Sequence, residues 1–326
     1  MQPTLGILHM ELAPLTVVFW ATELLVHVVG FVISAVFLLS FFRFPLFHAN
    51  FRLIIANLAL STVFTSVSRF AILVGHIARL IPPESPAGDW LQTLRDTGMY
   101  SAGFHLVLLS GERAIATIKS RVYEKSRGFH LVVALILATW LGSFLIIFFT
   151  RRGELSQFVA LGIIAVADGV AFLVMLVFFY VNHKMYFKVT AKVNGGVPQS
   201  LSQRYQYSEN ISSSRLLIRF LLFLAVASLV ALASFLGYLF YGDRSTLGRV
   251  FGFVFDLTIA SLTSFVPIII IIGTPRLRST TLDRICATGS RFPKKKAEAL
   301  KDINGRKLIV KDETKVYFDQ LKASWY

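Results

Sequence analysis

Cysteine is almost missing from this 326-residue sequence, which contains only Cys286. A single cysteine excludes an intramolecular disulfide, so the loops of the folded chain must be held by packing alone. Charged residues are also scarce, at 16% of the chain, whereas ordinary globular chains have about a quarter. Hydrophobic residues make up 55%. Together these proportions predict a membrane protein.

Long apolar runs are what the sequence has in abundance. A transmembrane helix needs about 20 mainly apolar residues, and seven runs reach that length. None shows the two-residue alternation of barrel strands, so the predicted fold class is all-α, a bundle of seven transmembrane helices. The predicted spans are 15–42, 53–77, 98–118, 129–150, 158–181, 216–241 and 250–274.

Basic residues gather on one side of these spans. Lys and Arg are enriched in cytoplasmic loops, so the pattern predicts an outside N-terminus and an inside C-terminus. The predicted domains are an extracellular segment, 1–14, the helical bundle, 15–274, and a cytoplasmic basic tail, 275–326. The net charge of +15 then belongs to loops and tail, near membrane lipid, and no nucleic-acid module is present.

The connections between spans differ in length. On the outer side, 81–90 contains three prolines and is predicted to be stiff and non-helical. On the inner side, 182–219 is the longest predicted connection. In the tail, Cys286 follows a segment with basic residues and an apolar face, which suits a short helix on the inner leaflet. Its thiol is a lipidation candidate, and an unmodified thiol is the alternative.

Ionisable and polar side chains inside the spans are candidates for a ligand site. Such groups usually face the bundle interior and find partners. One hypothesis is an outer-half cavity for a small-molecule ligand; the alternative is a set of internal salt bridges and hydrogen bonds that fix helix packing. The candidate ligand residues are Glu23, Arg69, Tyr100, His105, Asp168 and Asp256, and His27 shares a helix face with Glu23.

An acid and a base stand together where the third span ends, in "GERAIATIKSRVYEKSRG", residues 111–128. Glu112 and Arg113 would lie at the inner edge of the hydrocarbon. One interpretation is a helix-end anchor, because Arg can extend its charge to the interface. The other is a switch, in which the pair is closed at rest and Arg113 is released to a cytoplasmic partner.

Three short cytoplasmic stretches carry a family resemblance. Glu112-Arg113, Ala116-Thr117 and then "YEK" at 123–125 form the pattern "ER..AT.....YEK"; "FHANFRL" lies at 47–53 and "LSQRYQYSEN" at 201–210. Together with the seven spans, they resemble the nematode serpentine chemoreceptors of class epsilon (Sre), in the Sra superfamily.

This resemblance implies a chemosensory G-protein-coupled receptor in the plasma membrane of a sensory cilium. The implied partners are a small chemical ligand and a heterotrimeric G protein. The disulfide of better-known receptor families is impossible here, and only Pro267 remains of the seventh-helix pattern of rhodopsin-like receptors. The candidate G-protein-coupling residues are Glu112, Arg113, Tyr123, Arg204 and Tyr205.

Other classes of protein fit less well. A polytopic transporter or ion channel using the intramembrane carboxylates stays open as the alternative function. An enzyme is disfavoured: the seven His are dispersed without zinc-ligand spacing, and the seventh span has no Lys for an opsin-type Schiff base. No metal or cofactor is expected, and the oligomeric state is left open.

Overall fold

The computed structural model describes residues 14–43, 48–82, 85–118, 129–194, 201–242, 245–274 and 277–279. These residues form seven long helices and no strand, which confirms the all-α fold class. The helices are α1 (Pro14–Arg43), α2 (Ala49–Ile77), α3 (Pro86–Ile118), α4 (Phe129–Arg151), α5 (Gln157–Asn194), α6 (Leu201–Tyr241) and α7 (Thr246–Gly273).

Six of the helices are long and apolar enough to cross a membrane, namely α1, α2, α4, α5, α6 and α7. Each coincides with a predicted span. The remaining helix, α3, is more polar because it carries Arg95 and Asp96 near one end and Glu112 and Arg113 near the other. Its crossing of the membrane and the direction of the bundle stay predictions.

The position of α3 explains its polarity. It packs against α2, α4, α5 and α6, and its ionisable Glu112 and Arg113 are buried in protein. A polar helix at membrane depth is tolerated when other helices surround it. The main core joins aromatic and aliphatic side chains of several helices, including Phe37, Phe51 and Phe220.

The prediction that 81–90 is non-helical is wrong for its second half, because α3 begins at Pro86. The Ser85 hydroxyl oxygen accepts a hydrogen bond from the Gly88 amide at 3.2 Å, as an N-cap does. Proline suits the first helical position, since its missing N–H would have no helical partner there. The proline that suggested a loop thus helps to begin the helix.

The prediction that 182–219 forms a long inner connection is also wrong. Helix α5 continues to Asn194 and α6 begins at Leu201, so most of that stretch is helical. Polar residues do not end a helix once it leaves the hydrocarbon, because water can solvate the side chains. Both helices therefore extend beyond their predicted apolar spans.

Helices α2 and α3 approach closely at Gly98. A side-chain carbon at this position would lie 2.5 Å from Thr65 Oγ1 and 3.1 Å from the Ser61 carbonyl oxygen. Glycine permits such an approach because it has no Cβ. About one turn further along α3, the Ser61 and Ser101 hydroxyls lie 3.3 Å apart and join the same two helices.

Some of the predicted functional residues lie outside this description. Tyr123 and Cys286 fall outside the described residues. Of the predicted tail helix only 277–279 are described; they are helical, and Leu277 is buried in the main core. Arg204 and Tyr205 lie in the first turns of α6, and their side chains are outside the description. Their proposed roles depend on the sequence alone.

Candidate functional site

Arg69 of α2 lies between two carboxylates on other helices. Its Nε and Nη2 donate to Glu23 of α1 at 2.7 and 3.2 Å, and Nη2 also donates to Asp256 of α7 at 2.5 Å. Glu23 is 1% exposed, so its charge depends on this partner. The sequence hypothesis named all three residues, and the structure brings them together.

The ion pairs continue onto α3 and α4. Arg95 donates to Asp256 through Nη1 at 3.3 Å and to the neighbouring Asp96 through Nε at 2.9 Å. The other oxygen of Asp96 accepts from Arg151 of α4 at 2.8 Å. We call the six residues Glu23, Arg69, Arg95, Asp96, Arg151 and Asp256 the charge network.

The charge network balances its own charges and joins five helices. Asp96 of α3 is partly buried, and its two carboxylate oxygens are paired with Arg95 and Arg151, so its charge is balanced on both sides. Three carboxylates then face three guanidinium groups, and each carboxylate oxygen accepts at least one hydrogen bond. The network therefore fixes the relative positions of α1, α2, α3, α4 and α7.

A small cavity opens beside this network. Its polar side is formed by His27, Arg69, Arg95 and Asp256, and its remaining walls are mainly apolar. The cavity holds about one water-sized group in this conformation. The other lining residues are Thr65, Met99, Phe255, Ile259 and Ala260.

His27 is the most buried polar group of this cavity. It is 1% exposed, and neither ring nitrogen has a hydrogen-bond partner among the described residues. Its Nε2 lies 3.6 Å from Glu23 Oε1, which is beyond hydrogen-bond distance. An unpaired imidazole in such a place can bind a ligand or a water molecule.

Three of the predicted ligand residues lie elsewhere. Tyr100 packs in a separate apolar cluster with Ile147 and Ala160. His105 is fully buried, with its Nδ1 at 2.6 Å from the Ser101 carbonyl oxygen. Asp168 of α5 lies against α3 near Gly103, and none of the three lines the cavity described here.

Arg95 is the cavity residue that was least expected from the sequence. It precedes the predicted third span, which begins at residue 98, so the sequence predicts an outer-loop position for it. The signal that could have located it is the pair Ser85-Pro86, a start signal for a helix that would include Arg95. His27 had a clearer signal, since it is one helical turn from Glu23.

Glu112 and Arg113 form a closed pair at the opposite end of α3. Arg113 donates to Glu112 through Nε at 2.6 Å and Nη2 at 2.7 Å, and both side chains are buried. The Arg113 guanidinium also lies 4.3 Å above the centre of the Phe51 ring in α2, a cation–π contact. Both residues were predicted for this site, and the two-point pairing shows that they interact directly.

A metal centre is not evident in this part of the chain. Among the described residues, no three or more His, Cys, Asp or Glu side chains are grouped as metal ligands. The carboxylates of the charge network are instead paired with arginines. The cavity has mainly apolar walls and a few polar groups, which makes it a candidate site for a small organic molecule.

Comparison with known proteins identifies the family. The model of the family described as "Sre G protein-coupled chemoreceptor" matches residues 92–326, well over half of the chain. The chain therefore belongs to this family of receptors, and the resemblance seen in the sequence is confirmed. No curated protein matches the chain.

Proposed function

We propose that this chemoreceptor binds a small external chemical in the cavity beside the charge network and activates a heterotrimeric G protein at the other end of the bundle. Family membership supports the receptor role. The cavity supplies a place for the ligand, and the Glu112-Arg113 pair supplies a candidate contact for the G protein.

The observation that carries this proposal is that α3 reaches both sites. Arg95 stands at the cavity, and Arg113 is 18 residues further along the same helix. At 1.5 Å per residue the two are about 27 Å apart, close to the thickness of the hydrocarbon. A rigid central helix can transmit a shift at one end to the other, as rigid-body motions do in allosteric proteins.

The proposed membrane arrangement follows from this distance. All seven helices cross the membrane, with α3 shielded by its neighbours, and the cavity faces the outside. The N-terminus is then outside and the C-terminal tail inside, as the basic residues predict. The receptor is placed in the plasma membrane, and the family resemblance favours a sensory cilium.

The resting state is closed at the inner end. Arg113 is held by Glu112 and by the Phe51 ring, so its cation is covered on two sides. Separation of α3 from α2 would remove the Phe51 contact, and we propose that this movement is a step in making Arg113 available to a partner. The proposed receptor surface for the G protein also includes Tyr123, Arg204 and Tyr205, because they lie in predicted cytoplasmic stretches that resemble the family pattern.

A transporter or channel is the alternative, and the pairing of the carboxylates disfavours it. Glu23 and Asp256 each accept hydrogen bonds from arginine on both oxygens, so neither is open to a permeating cation. Asp168 Oδ1 has no partner among the described residues, but one carboxylate does not make a path.

Nucleotide exchange tests the proposal. The full chain would be reconstituted with a purified G protein in lipid nanodiscs, and GDP release would be measured with and without a panel of small organic compounds. We expect exchange above that of empty nanodiscs, and at least one compound to change it. Ion flux without any exchange would favour the transporter or channel.

A further inference from the structure

The chemistry of the cavity narrows the class of ligand, an inference that rests on the proposed role of the cavity. Guanidinium carries five N–H donors and no acceptor. Arg69 uses Nε and Nη2 on Glu23 and Asp256, and its Nη1 donates to no described residue. Arg95 uses Nε and Nη1 on Asp96 and Asp256, and its Nη2 donates to no described residue.

The carboxylate oxygens beside the same cavity are already engaged. Asp256 accepts from Arg95 on Oδ1 and from Arg69 on Oδ2, and both Glu23 oxygens accept from Arg69. Among the described residues, the groups without a hydrogen-bond partner are thus Arg69 Nη1, Arg95 Nη2 and the ring of His27, whose neutral form has one donor and one acceptor. Because donors are left over, the cavity calls for a ligand that brings a hydrogen-bond acceptor.

The net charge of the charge network determines whether the acceptor on the ligand should be neutral or ionic. The three carboxylates and three guanidinium groups of the charge network sum to zero. A bound anion or cation would leave one buried charge without a counter-charge, so its desolvation penalty would not be compensated. A neutral acceptor satisfies the free donors without that cost.

The other walls indicate a short apolar body. Met99, Phe255 and Ile259 are the large apolar side chains that line the cavity. The space holds little more than the oxygen of a ligand, and the flexible Met99 side chain is the wall that can move to admit the rest. The ligand must therefore be small.

We infer that the cavity binds a small neutral molecule whose carbonyl oxygen accepts hydrogen bonds from Arg69 and Arg95, with its short alkyl chain against Met99 and Phe255. Ketones and esters belong to this class. Carboxylates and amines of the same length do not, since each would bring an unbalanced charge.

Three matched five-carbon probes test the inference: 2-pentanone is neutral, pentanoate is an anion and pentylamine is a cation at neutral pH. Binding to the full chain in nanodiscs, without a G protein, would be followed by saturation-transfer NMR. We expect 2-pentanone to bind at least about tenfold more tightly than either ion, a difference of about 1.4 kcal/mol. Equal or tighter binding of pentanoate or pentylamine, or no binding of 2-pentanone, would overturn the inference.

Matched variants locate the site. Arg95→Lys keeps the positive charge near Asp96 and Asp256 but loses the planar donor fork, so the affinity for 2-pentanone should fall by about tenfold. Arg151→Lys makes the same change in the same network away from the cavity, and we expect little effect. Equal losses in the two variants would contradict the assignment.

A second kind of variant covers the case in which Arg95→Lys does not fold. Met99→Trp should fill the cavity and block binding of 2-pentanone while the network stays intact; unchanged binding would also contradict the assignment.

The proposed signalling role can fail independently of this ligand assignment. If 2-pentanone binds as expected but the G protein never responds, the inference stands alone; if another compound drives exchange and 2-pentanone does not bind, only the receptor proposal stands.

Discussion

Arg69 Nη2 lies 2.5 Å from Asp256 Oδ2, and this contact joins α2 to α7 beside the cavity. The same guanidinium reaches Glu23 on α1. Packing salt bridges and ligand residues were alternative interpretations of the polar residues in the spans. The structure shows that Arg69 and Asp256 are paired and also line the cavity, so one residue can serve both purposes.

Glu23 and Asp256 should therefore respond differently to neutralisation. Glu23 is almost fully buried, so Glu23→Gln should reduce the free energy of unfolding by about 3 kcal/mol. Asp256 is 20% exposed, and Arg69 and Arg95 each keep another carboxylate, so Asp256→Asn should cost about 1 kcal/mol and mainly alter ligand potency. The two variants would be compared by their surface expression and by thermal unfolding, monitored through tryptophan fluorescence. A larger loss of stability in Asp256→Asn would show that its role is packing.

The Glu112-Arg113 pair should behave as a latch. Glu112→Gln removes the charge that holds Arg113, so G-protein nucleotide exchange without ligand should rise. Arg113→Ala should abolish exchange while surface delivery and binding at the distant cavity remain near normal. Exchange, surface level and binding would be measured together for both variants.

Arg113→Lys separates the latch from a helix-end anchor. Lysine reaches the interface as well as arginine does, but it cannot form the two-point pair with Glu112. The latch predicts that Arg113→Lys does not restore the wild-type state. Equal loss of all three signals in Arg113→Ala, with full rescue by Lys, would establish the anchor.

Gly98 should be intolerant of a side chain. Gly98→Ala places a methyl group against Thr65 and the Ser61 carbonyl, and should destabilise the bundle by about 1–3 kcal/mol. Gly142→Ala on α4 is the control, since no atom lies within 4 Å of its added carbon and alanine favours helix. Thermal unfolding should show a loss only for Gly98→Ala. An unchanged midpoint would mean that α2 and α3 are further apart than described.

The direction of the bundle can be tested at a glycosylation signal. The one N-x-S/T sequon is Asn210-Ile211-Ser212, in α6. A cytoplasmic position should leave it unmodified, because glycans are added on the outer side. Digestion with an endoglycosidase should therefore not change the mass of the expressed protein. A glycan on Asn210 would reverse the proposed orientation.

Cys286 is proposed to carry a lipid chain. Neighbouring basic residues can hold the tail at the inner leaflet, each contributing about 1 kcal/mol near anionic lipid. Cys286→Ser should then remove any hydroxylamine-sensitive acyl group and weaken surface delivery only modestly. A complete loss of folding in this variant would instead mean a buried core thiol.

Several features of this protein could be predicted from the sequence because each depends on local properties of the chain. A helix that faces lipid needs a long apolar run, so the six spans other than α3 can be recognised from composition alone. The pairing of Glu112 with Arg113 is equally local, since the two are adjacent. The short motifs beside the spans likewise indicated the family.

Tertiary structure decided which distant groups meet. Glu23, Arg69 and Asp256 lie on three helices, and their contact depends on how each helix is rotated and where it stands along its neighbours. The same rotations place His105 and Tyr100 away from the cavity and bring Arg95 to it, although the sequence favoured the opposite. Apolar composition shows that a helix will enter the membrane, but side-chain packing among all the helices determines its rotation, because lipid provides no hydrophobic force between them.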